Sequence, residues 1–217
     1  MDMHAENESG TNATDPTDTT GPAVPDLGPA ARRVARLLDG ITDDHLSAPT
    51  PCPEYAVRDL LQHLVGLTAA FRDAAEKRLG PSTATDPGSA GPGPLAEDWR
   101  HRLPRQLGEL VTAWHRPEAW EGQTQAGGVT LPGQVAGVVA LNELVVHGWD
   151  LARATGQEYT ADEESARACV ELMAPADPSG TEGLFGPVVD VPDGAPVLDR
   201  VIGLSGRSPS WTPPAMG

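Results

Sequence analysis

The segment LPGQVAGVVALNELVVHGWDLARATGQ, Leu131–Gln157, limits what this chain can fold into more than any other. Its apolar residues fill nearly every turn of the helix it predicts, which is stopped near Gly156. A helix apolar on most of its surface has to lie inside others. Three other stretches are built to cover it. LGPAARRVARLLDGI sets Val34, Leu37, Leu38 and Ile41 at three- and four-residue spacing, with Pro29 suited to a first helical turn. TPCPEYAVRDLLQHLVGLTAAFRDAAEKRLG repeats Val57, Leu60, Leu61, Leu64, Leu67 and Phe71 with the same period, and predicts a long helix ending near Gly80 with Lys77 and Arg78 in its last turn. A third helix over Leu95–Trp114 places Trp99, Leu103, Leu107, Leu110 and Trp114 on one side, with a kink at Pro104. Four long helices in succession predict an all-α antiparallel four-helix bundle with a short irregular C-terminal extension.

The remaining segments read as connections and additions. PSTATDPGSAGPGP is a flexible link without regular structure, and WEGQTQAGGVTLPG is a turn or short extended excursion, with no strand ladder expected anywhere. ADEESARACVELMA predicts a further helix that starts at Ala161 or Asp162 and ends at Pro175; APVLDRVIGLSG predicts a short one. The expected division is a disordered acidic tail over 1–26, a bundle over 27–175, and a Pro- and Gly-rich extension packing on it over 176–217.

Charge and cysteine content narrow the partners. With 31 acidic against 15 basic residues the formal net charge is -16, which argues against a nucleic-acid surface or an anionic membrane and favours small-molecule chemistry. A high-GC or salt-tolerant genome gives the same acidity. Two cysteines, Cys52 and Cys169, stand far apart and make neither a disulfide framework nor a cysteine zinc site, so a reducing cytoplasm is the expected location. No apolar run is read as reaching the about 18–20 residues of a membrane span. A monomer or a homodimer is expected, since no heptad seam demands more.

Inside the apolar helices sit three polar groups. Glu143 and His147 are at i and i+4, one turn apart on one face, and His63 stands among Leu60, Leu64 and Leu67 on the core side of its helix. Facing helices can point such groups at one ion, and a His, Glu, His set leaves a position for water or substrate, as catalytic zinc sites do. The same spacing also fits a satisfied core histidine and a hydrogen-bonded Glu–His couple. Asp150, one turn past His147, could orient that imidazole or serve the Trp149–Arg153 segment; Trp149 suits core or pocket wall. Arg58 and Asp59 read as a surface pair, Cys52 as a structural thiol rather than a site group, and His45, His101 and His115 as solvent-facing.

TPCPEYAVRDLLQHLVG and NELVVHGWDLARATGQ together resemble the signature segments of an actinobacterial family of metal-binding proteins in the DinB-like superfamily. The tail FGPVVDVPDGAPVLDRVIGLSGRSP is similar to that family's ending, so the resemblance runs from about Arg32 to Pro209. The family is similar to the N-terminal domain of mycothiol-dependent maleylpyruvate isomerase. The resemblance implies a DinB-like bundle holding a divalent metal, zinc or else nickel, on His63, Glu143 and His147, with Glu143 also catalytic. It further implies a mycothiol-like thiol as co-substrate, used to isomerise or conjugate a small electrophile. A non-catalytic binding protein, and a hydrolase or cyclase that needs no thiol, are the alternatives. The full isomerase carries a second, C-terminal domain where only a Pro- and Gly-rich tail is read here. No catalytic role therefore carries over to Arg200 or Arg207, and maleylpyruvate is not the expected substrate.

Overall fold

A computed structural model describes residues 24–85, 93–175, 177–180 and 186–214, so positions 1–23 of the expected tail lie outside the described residues. Among the described residues eight helical segments follow one another: α1 Gly28–Asp39, α2 Val57–Ala75, α3 Pro81–Ala84, α4 Trp99–Trp114, α5 Pro117–Trp120, α6 Gly133–Ala154, α7 Glu163–Met173 and α8 Val197–Leu204. A 3₁₀ turn, Asp43–Ser47, lies between α1 and α2. The long helices α1, α2, α4 and α6 make the expected antiparallel bundle. Both α4 and α6 pack against α1 and against α2. Leu60, Leu61 and Leu64 of α2, Leu103 and Leu110 of α4, and Leu141 and Leu144 of α6 have no exposure, so the predicted apolar stripes all meet in one core.

The second helix ends earlier than its composition predicts. Lys77 takes a left-handed backbone, φ 56°, and the amides of Lys77 and Arg78 turn back to the carbonyls of Ala74 and Asp73 at 3.2 and 2.8 Å. This is a Schellman stop with lysine in the position glycine usually fills. The lysine ammonium donates to the Ala119 carbonyl at 2.8 Å, a tertiary contact that composition cannot announce. The link after it is not wholly irregular, since Pro81–Ala84 forms one helical turn; residues 86–92 lie outside the described residues. The third bundle helix starts at Trp99 rather than Leu95 and continues through Pro104.

The excursion before α6 is a hairpin, so the expectation of no strand ladder is corrected. β1, Gln123–Ala126, pairs antiparallel with β2, Val129–Pro132, and Ala126 faces Val129 across Gly127 and Gly128. Both glycines have positive φ, 58° and 78°, as a two-residue turn of this hand requires. The Thr124 hydroxyl donates to the Ala74 carbonyl at 2.6 Å and ties the hairpin to the end of α2.

The reading that no run reaches membrane-spanning length is also corrected: α6, Gly133–Ala154, is long and apolar enough by length and composition alone, but 78% of that window is buried in the protein. It is a core helix. Near its start, Gly137 lies where a Cβ would strike the ring atoms of Trp120 and Trp114. Those indoles pack edge to face at 4.9 Å, and the Trp120 N–H donates to the Trp114 carbonyl at 2.7 Å. Gly137→Val should therefore destabilise the fold by about 1–3 kcal/mol through overpacking, although valine favours helix more than glycine does. A lower urea midpoint at unchanged slope is the expected result.

Candidate metal centre

α2 and α6 each bring polar atoms to the space between them. His63 comes from the middle of α2; Glu143 and His147 come from consecutive turns of α6. One ligand atom from each of these three lies within 4.8 Å of the others. The Glu143 Oε2 is 3.1 Å from His147 Nε2 and 3.4 Å from His63 Nε2. The two imidazoles meet edge to face, with centroids 4.9 Å apart and planes at 82°. All three side chains keep some exposure, 16%, 21% and 10% for His63, Glu143 and His147, so the cluster is reachable from solvent.

Behind His147 the structure is closed. Its Nδ1 lies 3.0 Å from the Asp150 Oδ2, and Asp150 has no exposure. The guanidinium of Arg207 grips the same carboxylate, with Nε at 3.0 and 3.1 Å from its two oxygens and Nη2 at 3.0 Å from Oδ2. Nη1 donates to the Ser205 carbonyl at 2.8 Å. A carboxylate paired with arginine only accepts hydrogen bonds, so Nδ1 of His147 carries the hydrogen and Nε2 is the atom offered to an ion. The donor set, two imidazole nitrogens and one carboxylate oxygen, fits zinc or nickel.

Electrostatics follow from these contacts. Burial works against a charged His147, but its bonds to Asp150 and Glu143 outweigh this and raise its pKa to about 9. Burial likewise pushes Glu143 up, while His147 and His63 together hold it well below the usual carboxylate range. Metal binding must then displace a proton from His147 at neutral pH.

Other residues fall differently from their sequence reading. Asp150 orients His147, one of the two roles open to it. Arg207, given no role from sequence, lies in the site. Arg58 and Asp59 do not pair: Arg58 donates to the Leu46 carbonyl at 3.3 Å, and Asp59 accepts from the Ala56 amide at 3.0 Å, capping α2. His45 is half-buried and accepts from the Thr42 amide at 3.1 Å, whereas His101 and His115 are exposed. Cys52 is half-buried and stands outside the donor trio; burial pushes its thiol up, Arg207 pulls it down, and Asp150 adds to the rise. Tyr55, which sequence reading passed over, sets its ring 5.4 Å from that of His63. An aromatic two residues before a helix carrying a candidate ligand is the one signal that could have found it.

A family model described as "Mycothiol maleylpyruvate isomerase N-terminal domain" matches residues 27–152. Two Mycobacterium tuberculosis proteins, "Uncharacterized protein MT0763" of strain CDC 1551 / Oshkosh and "Uncharacterized protein Rv0738" of strain ATCC 25618 / H37Rv, are each 30% identical over 166 residues. That alignment covers 76% of this chain and 80% of each relative. Among solved structures, the mycothiol-dependent maleylpyruvate isomerase and a histidine-to-alanine mutant of it align with a TM-score of 0.53 at 16% identity. The match covers 66% of this chain and 65% of that one, so the chain spans just under two thirds of the isomerase. The shared fold is the DinB-like bundle.

The raised pKa of His147 gives a signed prediction. A group raised from 6.5 to about 9 contributes stability that is complete below the lower value and lost as pH climbs through the upper. In excess chelator, the thermal midpoint of the wild type should therefore fall between about pH 7 and 9.5 relative to a His147→Gln variant, by about 2–4 °C for each kcal/mol lost. Parallel midpoints across that range would contradict the assignment.

Proposed function

The chain belongs to the mycothiol maleylpyruvate isomerase N-terminal domain family, and from that premise we propose that it is a divalent-metal-dependent enzyme acting with a low-molecular-weight thiol on a small electrophile. The reaction is S-transfer to that electrophile or isomerisation of its double bond. One observation carries the reading: three donor atoms from two facing helices converge within 4.8 Å, and one of them is aimed by a buried carboxylate.

His63, Glu143 and His147 hold the ion, zinc or else nickel. Three protein ligands leave a position for an exchangeable one. A divalent ion held there would supply the charge that lowers the pKa of a bound thiol and the Lewis acidity that polarises a carbonyl. The rest is supplied by the chain. With both imidazoles neutral as ligands, Glu143 and Asp150 against Arg207 leave the set one negative charge, and a divalent cation held there would bring it to one positive. A single anion, such as a thiolate, then neutralises the site.

The thiol has to come from outside. Of the chain's two cysteines, Cys52 is held as a thiol by burial and stands outside the donor trio, and Cys169 is fully buried with its pKa raised to about 12. Tyr55 stays protonated because burial raises its pKa, with Cys52 and Glu143 adding to the effect, so the aromatic beside His63 is a neutral donor.

Protein purified untagged and without added metal should carry about one equivalent of zinc or nickel, lost in His147→Ala. It should convert an electrophilic unsaturated acid or epoxide only when thiol is present, with the thiol consumed in S-transfer and returned unchanged in isomerisation. Glu143→Gln should lower that turnover by more than the about 10–100-fold typical of losing an outer-shell partner. Turnover that proceeds without thiol would replace this reading by a hydrolase or cyclase, and ligand binding without turnover by a binding protein.

A further inference from the structure

Arg207 is the last charged residue of the sequence. Its place is fixed by how α8 ends. Gly206 takes φ 79°, and the amides of Gly206 and Arg207 turn back to the carbonyls of Gly203 and Ile202 at 3.0 and 3.1 Å. This Schellman turn needs the left-handed residue that glycine supplies. A Cβ on Gly206 would also lie 2.8 Å from the Gly186 backbone, so the turn is closed in by a second strand of chain. The turn sends the Arg207 side chain to α6, where only 8% of the residue stays exposed. One turn further along α6, Arg153 Nε donates to the Trp211 carbonyl at 3.0 Å. Residues 205–211 are thus fastened to α6 at two successive turns.

We propose that Arg207 is a positioning residue of the metal centre, acting through Asp150 on His147, and that docking of the segment after α8 is thereby linked to metal binding. The inference rests on the metal-binding reading above. Asp150 has to present one oxygen to Nδ1 of His147, and its carboxyl plane can turn about the Cβ–Cγ bond. Arg207 fixes that plane by holding both oxygens at once. A lysine ammonium would keep the charge but not the fork. Outer-shell partners that orient a ligating histidine strengthen metal affinity about 10–100-fold. Linkage is reciprocal, so whatever factor Arg207 gives to metal affinity, metal returns to the docking of the segment that carries Arg207.

The test is zinc affinity, measured by competition with a chromophoric chelator, for wild type, Arg207→Lys, Arg207→Met, Asp150→Asn and the Arg207→Met/Asp150→Asn double variant. Arg207→Met should weaken zinc binding about tenfold, with Arg207→Lys between it and wild type. In the Asp150→Asn background, Arg207→Met should change the affinity by less than about twofold, because its route to His147 is already cut. A residue that only supports the fold would give effects that multiply. In the wild type, zinc should slow amide hydrogen exchange over residues 205–211 by the same factor of about ten; this arm stands even if Arg207→Met does not fold. Unchanged affinity in Arg207→Met, multiplying effects, or zinc-insensitive exchange in that segment would each overturn the inference while the metal centre stands. Wild-type protein that takes up no zinc would overturn the metal reading and the inference with it.

Discussion

A carboxylate with no exposure cannot stay charged inside a protein without partners, and Asp150 is such a group. It has two, Arg207 on one side and His147 on the other. The first ties the end of the chain to the core helix. The second decides which nitrogen of His147 faces the solvent-reachable cluster. The need to pair one buried charge thus sets both how the C-terminal segment docks and how the candidate centre is aimed.

The bundle supplies the rigidity that this arrangement requires. Glu143 and His147 are one turn apart on α6, so their relative position is a property of the helix itself. His63 depends on how α2 packs on α6, and the fully buried leucines of both helices fix that distance. Polar groups between packed helices weaken the core they interrupt, and within the cluster Glu143 is matched by two imidazoles and His147 by two carboxylates. This mutual pairing keeps the three side chains close together.

Much of this was legible in the sequence. The four bundle helices follow from apolar spacing, and the trio His63, Glu143 and His147 stood out because charge and imidazole are unusual in apolar stripes. Their meeting needed a resemblance to be read, since spacing alone fits a hydrogen-bonded couple equally well. What escaped is tertiary. Arg207 lies 57 positions from Asp150, and no periodicity connects them. The end of α2 is set by Lys77 reaching the Ala119 carbonyl. The hairpin has strands of four residues, too short to show alternation, and the strand before its Gly127–Gly128 turn, QTQA, carries no bulky apolar residue. Arg58 and Asp59 looked like an ion pair because they are adjacent, yet adjacent residues on a helix point apart.

We propose that this bundle holds one divalent ion on two imidazoles and one carboxylate, with a position left for a thiol. X-ray absorption at the zinc edge of the zinc-loaded protein, before and after addition of a small thiol, addresses it most directly. The account predicts a first shell of nitrogen and oxygen alone at about 2.0–2.2 Å, joined on addition of thiol by one sulfur at about 2.3 Å. Sulfur present beforehand, or a shell that the thiol leaves unchanged, would contradict it.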